Sequence, residues 1–415
     1  MYKKGENGKQ MQQKLQEENV GQMYKKSQEA SVGQLYRKLQ VLERDGRPLE
    51  LEDRLRAMNG PLISWYEEHA RILPWREDPE AYRVWISEIM LQQTRVEAVK
   101  PYFERFLQNL PDVKALAEVE DDRLMKLWEG LGYYNRARNL KKAAEVIVNE
   151  YGGQMPSEYE ALLKLPGIGS YTAGAIASIA FGRPVPAVDG NVLRVISRVT
   201  ASYEDILRQS TKRWMEEHLK NTMPKDKASH FNQGLIEIGA IVCVPNGKPK
   251  CGECPLASIC LARKQDLIGE LPVKTPPKKR RVEERTVCIL EDDTKVALRK
   301  RDNDGLLASL YELPNVEGYL EPDELCGAFG LDRSLVAAIE PLPKAKHVFS
   351  HVEWHMIGYR IRLKQAEAAD LAQPTAPVQT RNTILPSTYI AAEKSELKEL
   401  YALPNAFGRY TKLIT

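Results

Sequence analysis

Four cysteines lie close together along the chain and could hold a metal centre. Cys243, Cys251, Cys254 and Cys260 have the spacing C-x7-C-x2-C-x5-C. Four thiolates so near in sequence suit Zn(II) or an iron–sulfur cluster, and the spacing alone does not decide between the two. Only six cysteines occur in 415 residues, which is too few for a disulfide framework. The group therefore predicts a metal or cluster site in a reducing compartment.

Two carboxylates are candidates for acid–base chemistry. Glu88 lies in the apolar run Trp85–Leu91, where a carboxylate is either exposed or buried with a raised pKa. The sequence alone favours the exposed position. Asp189 precedes Asn191, which begins a new helical pattern. Asp189 is therefore expected near a helix N-terminus, which stabilises a carboxylate, and a plain N-cap is the alternative role.

A glycine-containing hairpin is predicted over Leu165–Gly174, with the sequence LPGIGSYTAG. Gly167 and Gly169 allow positive φ and a close backbone approach. The second helix is expected to start near Ser170, and its free N–H groups would bind a phosphate oxygen. Such a contact positions a duplex without reading its sequence. A plain turn between two helices is the alternative.

Composition limits the classes of protein that the chain can be. It has 60 Lys plus Arg and 57 Asp plus Glu, a net charge of +3, and 43% hydrophobic residues. These values exclude collagen, a coiled coil, wholesale disorder and a global polycation, so any anion-binding surface must be local. No run reaches the roughly eighteen apolar residues of a membrane span, and no secretory signal opens the chain.

Composition shifts along the chain predict four parts. Residues 1–50 read as a low-complexity basic extension that is mobile. Residues 51–270 read as mainly helical, 271–285 as a basic linker containing proline, and 286–415 as a separate α+β domain. The basic run 278–281 suggests either nuclear import or a position near a phosphate backbone.

Several elements can be predicted inside these parts. A single helix is expected over Tyr82–Ala98, and a helix segment starting at Trp65 is expected to end at Pro74. Cys288 and Cys326 are expected in the core. The expected strands are Thr286–Leu290, Thr294–Lys300 and His355–Leu363, and the expected C-terminal helices are Asp323–Phe329 and Ser395–Tyr401.

The hairpin, the Val188–Asn191 motif VDGN and the cysteine loop together resemble the helix–hairpin–helix Gly/Pro/Asp superfamily of DNA glycosylases. Three further motifs resemble its MutY-type adenine DNA glycosylases: LPWR at Leu73–Arg76, SEIMLQQTRV at Ser87–Val96 and EGLGYYNRARNL at Glu129–Leu140. The resemblance covers about Glu52 to Leu413. It implies a multidomain protein, with a helical glycosylase domain, a [4Fe–4S] loop rather than zinc, and an α+β Nudix-like domain.

The resemblance also implies a catalytic set. Glu88 would be the general acid that protonates adenine, and Asp189 would stabilise or capture an oxocarbenium-like sugar. Tyr171 and Asn191 would support that step. This agrees with the need of glycoside cleavage for one neutral acid and one carboxylate. Endonuclease III-type enzymes carry a lysine where Tyr171 stands, so hydrolysis without efficient β-elimination is expected.

DNA-recognition residues follow from the same resemblance. Trp75, Arg76 and Gln233 would surround the flipped base. The loop Phe349–His351, with Phe349, Ser350 and His351, would recognise 8-oxoguanine opposite the adenine. Gln93 and Tyr133 would wedge into the duplex. The full set of expected DNA-binding residues is Gln93, Thr94, Leu131, Tyr133, Gly167, Gly169 and Ser170.

One feature departs from the glycosylase pattern, and another from the signature of Nudix hydrolases. The first cysteine gap, Val244–Lys250, has seven residues and is one longer than usual. A turn at Asn246-Gly247 could absorb the extra residue. The Nudix hydrolase box is not found after Gly305, and Leu306–Pro314 resembles the family's non-hydrolytic version.

We therefore expect a monofunctional glycosylase that removes adenine opposite 8-oxoguanine, and opposite G, from double-stranded DNA. It is expected to be monomeric, independent of membranes, and cytoplasmic with the nucleoid in a bacterium, with nuclear import left open. A glycosylase/lyase for oxidised pyrimidines is opposed by Tyr171. A catalytically silent lesion-binding protein is opposed by Glu88 together with Asp189. A Nudix hydrolase is opposed by the missing box.

Overall fold

The structure is a computed structural model that describes residues 50–276, 279–364, 386 and 388–414. The predicted basic extension lies outside the described residues, apart from Glu50. The chain forms two compact units. The first holds the residues up to Glu88 together with Pro156–Lys164 and Ile168–Thr275, and the second holds Ile89–Met155, Leu165–Gly167 and Pro276–Thr415.

Helices make up most of the described chain from Leu51 to Lys264. They are α1 (Leu51–Ala57), α2 (Asn59–His69), α3 (Pro74–Glu77), α4 (Ala81–Leu91), α5 (Val96–Asn109), α6 (Val113–Glu118), α7 (Asp121–Trp128), α8 (Asn135–Tyr151), α9 (Tyr159–Leu162), α10 (Ser170–Ile179), α11 (Gly190–Thr200), α12 (Gln209–Thr222), α13 (Ala228–Ile241) and α14 (Leu261–Lys264). No described helix is both long enough and apolar enough to cross a membrane.

Helix α13 is central to the first unit, where it packs against α2, α10 and α11. Its buried residues Phe231, Leu235 and Ile238 belong to the main apolar cluster of the unit. Gly239 lets α13 approach α11 closely, because a Cβ at this position would lie 2.5 Å from Cβ of Asn191. The start of α11, which carries Asp189 and Asn191, is thereby seated on α13.

The second unit contains α5 to α8 and a seven-stranded mixed sheet. Its strands are β1 (Arg281–Glu291), β2 (Lys295–Lys300), β3 (Tyr311–Glu312), β4 (Asn315–Glu317), β5 (Val336–Val348), β6 (Val352–Leu363) and β7 (Ile390–Glu393). Their order is β3-β2-β1-β6-β5, with β4 paired to β1 and β7 to β2, and β1 and β6 are parallel. Three short helices follow in chain order, α15 (Leu325–Ala328), α16 (Leu397–Leu400) and α17 (Gly408–Thr411).

Both faces of the central strand β1 are covered, as its continuous apolar run requires. Val287 and Ile289 point into one apolar cluster, and Cys288 and Leu290 point into another. The predicted strands at Thr286–Leu290, Thr294–Lys300 and His355–Leu363 are therefore confirmed as β1, β2 and β6. The fold class expected from the resemblance is confirmed as well.

The structure corrects several predicted elements. The single helix over Tyr82–Ala98 is wrong, because α4 ends at Leu91 and α5 begins at Val96. Gln93, between them, has φ of 60°, which no α-helix accommodates. The first predicted helix ends at His69, and Pro74 instead opens α3. Arg281–Arg285, predicted as linker, lie in β1. The two C-terminal helices are shorter than predicted, as α15 and α16.

Candidate active site

Glu88, on α4, is buried, with 7% of its surface exposed. Its expected exposed position is therefore wrong. Loss of water raises the pKa of Glu88 to about 7, and the nearby charge of Asp189 adds to the rise. The phenol of Tyr171 donates a 2.5 Å hydrogen bond to Oε2 of Glu88 and opposes the rise, as does the positive charge of Arg76. The result is a carboxylic acid poised near neutral pH.

Asp189 is the N-cap of α11. Its Oδ1 accepts backbone N–H bonds from Asn191 at 2.9 Å and Val192 at 2.8 Å, and its Oδ2 accepts from Nδ2 of Asn191 at 2.7 Å. Burial raises the pKa of Asp189, and these three bonds pull it down. These three bonds favour the ionised form of the carboxylate and oppose the effect of its burial. The N-cap role and the site role coincide at this residue.

Arg194 connects the Asp189 end of α11 to the cysteine loop. Its Nη2 donates to Oδ1 of Asn191 at 2.9 Å and to the carbonyl of Gly239 at 2.7 Å. Its Nε donates to the carbonyl of Cys243 at 2.8 Å. One arginine thus fixes the amide that holds Asp189 and the backbone of the first cysteine.

A buried carboxylate pairs with Arg76, one of the residues expected around the flipped base. Glu237 is 0% exposed and accepts from Arg71 at 2.7 Å and 2.9 Å and from Arg76 at 2.8 Å. These arginines lower the pKa of Glu237 to about 2 despite its burial. Trp75 is buried next to Arg76 in α3. Gln233 lies one helical turn before Glu237 on α13 and bonds to Ser229.

The predicted hairpin is present, and α10 starts at Ser170 as expected. Gly167 has φ of 75°, so the hairpin needs a residue without Cβ there. Gly169 differs from the expectation, because its φ of −94° is ordinary and it is the N-cap of α10. Nothing lies within 4 Å of a Cβ at Gly169, which leaves the start of α10 accessible.

The remaining expected DNA-binding residues lie in the second unit, on two loops. Gln93 and Thr94 follow α4, and Tyr133 follows α7 with φ of 47° and 52% exposure. Arg136 is buried and holds both loops, donating to the carbonyls of Ile89, Met90, Gln92, Leu131 and Gly132. Leu131 is itself buried, so the structure does not place it with the exposed candidates.

The loop Phe349–His351 joins β5 to β6 in the second unit. Phe349 packs edge-to-face on Trp354 and His347, and Ser350 and His351 are exposed. The hydroxyls of Tyr133 and Ser350 are 3.2 Å apart. The structure therefore brings the wedge candidate Tyr133 next to the loop expected to read the opposite base.

The four cysteines line one cavity, together with apolar side chains such as Val195, Ile238 and Leu256. Arg198 donates to Sγ of Cys243 at 3.2 Å. Burial and the neighbouring thiols raise the pKa of Cys254 to about 12, so a bound positive group is needed to hold four thiolates. No three metal-binding side chains among the described residues are grouped for a single ion, whereas a four-iron cluster spreads its ligands more widely. The residues fit such a cluster.

The longer first cysteine gap closes within the loop. Gly247 has φ of 76°, and N–H of Lys250 donates to the carbonyl of Val242 at 3.0 Å. The chain bends at Asn246-Gly247, and the absorption of the extra residue by a turn there stays a prediction. Cys288 is buried in β1 and Cys326 is half-buried in α15, as expected for core residues.

Sequence reasoning missed Glu237, Arg71, Arg194 and Arg136. Glu237 had a readable signal, since it is a lone carboxylate in the apolar helix segment GLIEIGAI, as Glu88 is in its own. The arginines had none, because their acceptors are mostly backbone carbonyls and distant side chains.

Three family models match the chain. The model described as "HhH-GPD superfamily base excision DNA repair protein" matches residues 86–225, "NUDIX domain" matches 285–412, and "Iron-sulfur binding domain of endonuclease III" matches 247–260. Two solved structures are similar. A thermostable thymine-DNA glycosylase is 29% identical, with a TM-score of 0.47, over 51% of this chain and 97% of that one. A trapped endonuclease III–DNA covalent intermediate is 25% identical, with a TM-score of 0.45, over 53% and 100%.

These family matches define a base-excision DNA glycosylase with a helix–hairpin–helix, an iron–sulfur loop and a Nudix-type domain. The adenine DNA glycosylase of Mus musculus is 34% identical over 84% of this chain and 78% of its own length. That of Homo sapiens is 33% identical over 83% and 73%, and one from Buchnera aphidicola is 33% identical over 73% and 85%. The chain therefore belongs to the adenine DNA glycosylase family.

The family match confirms two expectations. The protein is a DNA glycosylase, a hydrolase of N-glycosyl compounds. Its cysteine loop carries a [4Fe–4S] cluster. Cys243, Cys251, Cys254 and Cys260 remain its predicted ligands, since they line one cavity. When bound, the cluster supplies the positive charge that keeps these thiolates together and fixes the loop.

Proposed function

We propose that the protein hydrolyses the N-glycosidic bond of adenine paired with 8-oxoguanine, and with G, in duplex DNA. The observation that carries the proposal is the buried Glu88, with a pKa raised to about 7 and a hydrogen bond from Tyr171, in one site with Asp189. All residues of the proposed site belong to this chain, and we propose that the protein acts as a monomer. It cuts no DNA strand.

Glu88 is the general acid of the proposed reaction. It donates its proton to a ring nitrogen of adenine while the bond between the base and the anomeric carbon breaks. The electron pair of that bond leaves with the base, which departs neutral. A pKa near the working pH lets the acid be protonated at the start and give up its proton readily.

Asp189 acts on the sugar. As the base departs, the anomeric carbon becomes positive, and an ionised carboxylate stabilises or captures it. Asn191 and the N-terminus of α11 hold this carboxylate by three donors. Water then adds to the anomeric carbon and leaves an abasic site. Tyr171 stands where a Schiff-base lysine would be needed for strand cleavage.

The base must leave the helical stack to reach Glu88. Trp75 and Arg76 in α3 and Gln233 on α13 surround it in the proposal, and Glu237 holds Arg76 in place. The start of α10 contacts a phosphate. Tyr133 and Gln93 fill the space that the flipped base vacates, and Ser350 and His351 bond to the edge of 8-oxoguanine, next to Phe349.

The test is single-turnover release of adenine from a duplex with A opposite 8-oxoguanine, with matched A:G and T:8-oxoguanine duplexes. We expect base release from the first two duplexes only, and strand breaks only after alkali. Breaks before alkali would contradict the hydrolytic assignment. No adenine release from a cluster-loaded protein that binds the duplex would refute the proposed function.

A further inference from the structure

We propose that one face of helix α7 forms a latch that sets the preference of the enzyme for the base opposite adenine. The latch consists of Asp122, Lys126 and Glu129, and it fixes the wedge loop Gly130–Tyr133 to the sheet domain within the second unit. The inference rests on the proposed function. The latch residues are positioning residues, and none of them is among the residues proposed to contact DNA.

The three latch residues lie on the same side of one helix. Asp122, Lys126 and Glu129 are spaced i, i+4 and i+7, which places them one above the other along a helical face. Glu129 is the C-cap of α7, so the latch extends to the last residue before the wedge loop. The face is therefore continuous with the loop it is proposed to hold.

Lys126 and Glu129 form hydrogen bonds to the segment Tyr401–Leu403. Nζ of Lys126 donates to Oε2 of Glu129 at 2.6 Å and to the carbonyl of Tyr401 at 3.0 Å. The backbone N–H of Leu403 donates to Oε1 of Glu129 at 2.8 Å. The side chain of Lys126 is only 12% exposed, so this pair is less screened by water than a surface pair.

Asp122 accepts hydrogen bonds from two adjacent strands, β2 and β3. Its Oδ1 accepts from Nζ of Lys300 on β2 at 2.6 Å, and its Oδ2 accepts from the hydroxyl of Tyr311 on β3 at 2.8 Å. The ring of Tyr311 in turn packs edge-to-face on Tyr401 at 4.9 Å. Both ends of the latch therefore meet one continuous part of the sheet domain.

The latch adds a second restraint to the wedge loop, whose Leu131 and Gly132 carbonyls already accept from Arg136. Gly130 and Gly132, on either side of Leu131, have φ of 96° and 70°, and glycines restrict the backbone least. Four residues after Glu129, the hydroxyl of Tyr133 is 3.2 Å from that of Ser350. With the latch closed, the wedge and the loop that reads the opposite base have a fixed spacing.

This spacing matters for recognition more than for bond cleavage. A hydrogen bond to the edge of 8-oxoguanine is lost when its donor shifts by about 1 Å, whereas Glu88 and Asp189 do not involve the latch. Loosening the latch should therefore lower the rate with A:8-oxoguanine and change the rate with A:G much less.

The experiment compares Lys126→Met and Glu129→Gln with the wild-type protein. Each is measured at subsaturating enzyme by single-turnover adenine release from A:8-oxoguanine and A:G duplexes. Lys100→Met is the matched control, because Lys100 forms an i,i+3 pair with Glu97 on α5 in the same unit. We expect the ratio of the A:8-oxoguanine rate to the A:G rate to fall about tenfold in both latch variants and to stay unchanged in the control.

The outcomes separate the two proposals. A wild-type protein that releases adenine from neither duplex refutes the proposed function, whereas equal wild-type rates on both duplexes overturn the latch alone. A wild-type preference that both latch variants keep overturns the latch alone, and so does an equal loss on both duplexes. If either latch variant fails to fold, Lys300→Met tests the exposed end of the latch. In Lys300→Met the rate with A:8-oxoguanine must also fall relative to the rate with A:G, and an unchanged ratio of these rates overturns the proposal.

Discussion

The phenol of Tyr171 donates a hydrogen bond of 2.5 Å to the carboxyl group of Glu88, a residue with 7% of its surface exposed. The two effects of this environment oppose each other. Burial favours the neutral acid, and the hydrogen bond favours the anion. Their balance gives Glu88 a pKa of about 7, and three predictions depend on it.

The rate of adenine release should fall as pH rises through about 7. Glu88 must be protonated to act as the general acid, and its pKa is raised to about 7. The measurement is the single-turnover rate on A:8-oxoguanine as a function of pH, at saturating enzyme so that DNA binding does not contribute. A rate that stays flat from acidic to clearly alkaline pH would rule out Glu88 as the titrating acid.

Tyr171→Phe should move that descending limb to higher pH. The hydrogen bond from Tyr171 lowers the pKa of Glu88, so its removal lets burial raise the pKa further. The sign is the informative readout, since a merely damaged site would lose rate without a shift. Tyr203→Phe is the control, because Tyr203 is exposed and bonds to Glu270 instead. A limb that moves to lower pH would contradict the geometry.

Glu88→Gln should lower the single-turnover rate by roughly 10²–10⁴-fold, the usual contribution of general acid–base catalysis. The amide keeps the size of the side chain and can still accept a hydrogen bond from Tyr171. Binding to the duplex should therefore be retained, as measured by titration of labelled DNA. Glu97→Gln, on the exposed side of α5, serves as control. Full activity of Glu88→Gln would remove Glu88 from the mechanism.

Local signals in the sequence predicted part of the site. The cysteine set, the start of α10 at Ser170 and the N-cap position of Asp189 each depend on residues near one another in the chain. Motif resemblance added Glu88 and Tyr171 to the site, but it assigned Tyr171 to the step at Asp189, whereas the structure shows its hydrogen bond to Glu88. Periodicity alone misplaced Glu88, because α4 is apolar on most of its faces and gives no direction for one carboxylate.

Long-range contacts could not be predicted. Arg76 and Glu237 are 161 residues apart in the chain and meet only because α13 packs centrally in the first unit. The break between α4 and α5 was missed because Trp85, Ile89 and Val96 keep helical spacing across it. The positive φ at Gln93 and the extended backbone of Arg95 interrupt the helix.

The iron–sulfur assignment can be tested by substituting cysteines one at a time. Cys254→Ser should lower the bound iron, because it removes one of the four thiolates predicted to hold the cluster in this cavity. Iron and acid-labile sulfide per chain, with the visible absorbance, are the measurements. Cys288→Ser and Cys326→Ser are matched controls, since neither residue lines the cavity. A full iron content in Cys254→Ser would contradict this ligand set.

Glu237→Gln should destabilise the protein by about 3 kcal/mol, because it removes the buried carboxylate that pairs with the half-buried Arg71 and Arg76. The pKa of Glu237 falls from 4.5 to about 2 on folding. A depressed carboxyl pKa gives stability that is fully present above about 4.5 and is lost as pH falls towards 2. Urea unfolding of the wild type should therefore show a loss over this window that is absent from Glu237→Gln. Glu217→Gln, an exposed position on α12, should keep the wild-type dependence. If Glu237→Gln keeps the same acid dependence as the wild type, other carboxylates cause it.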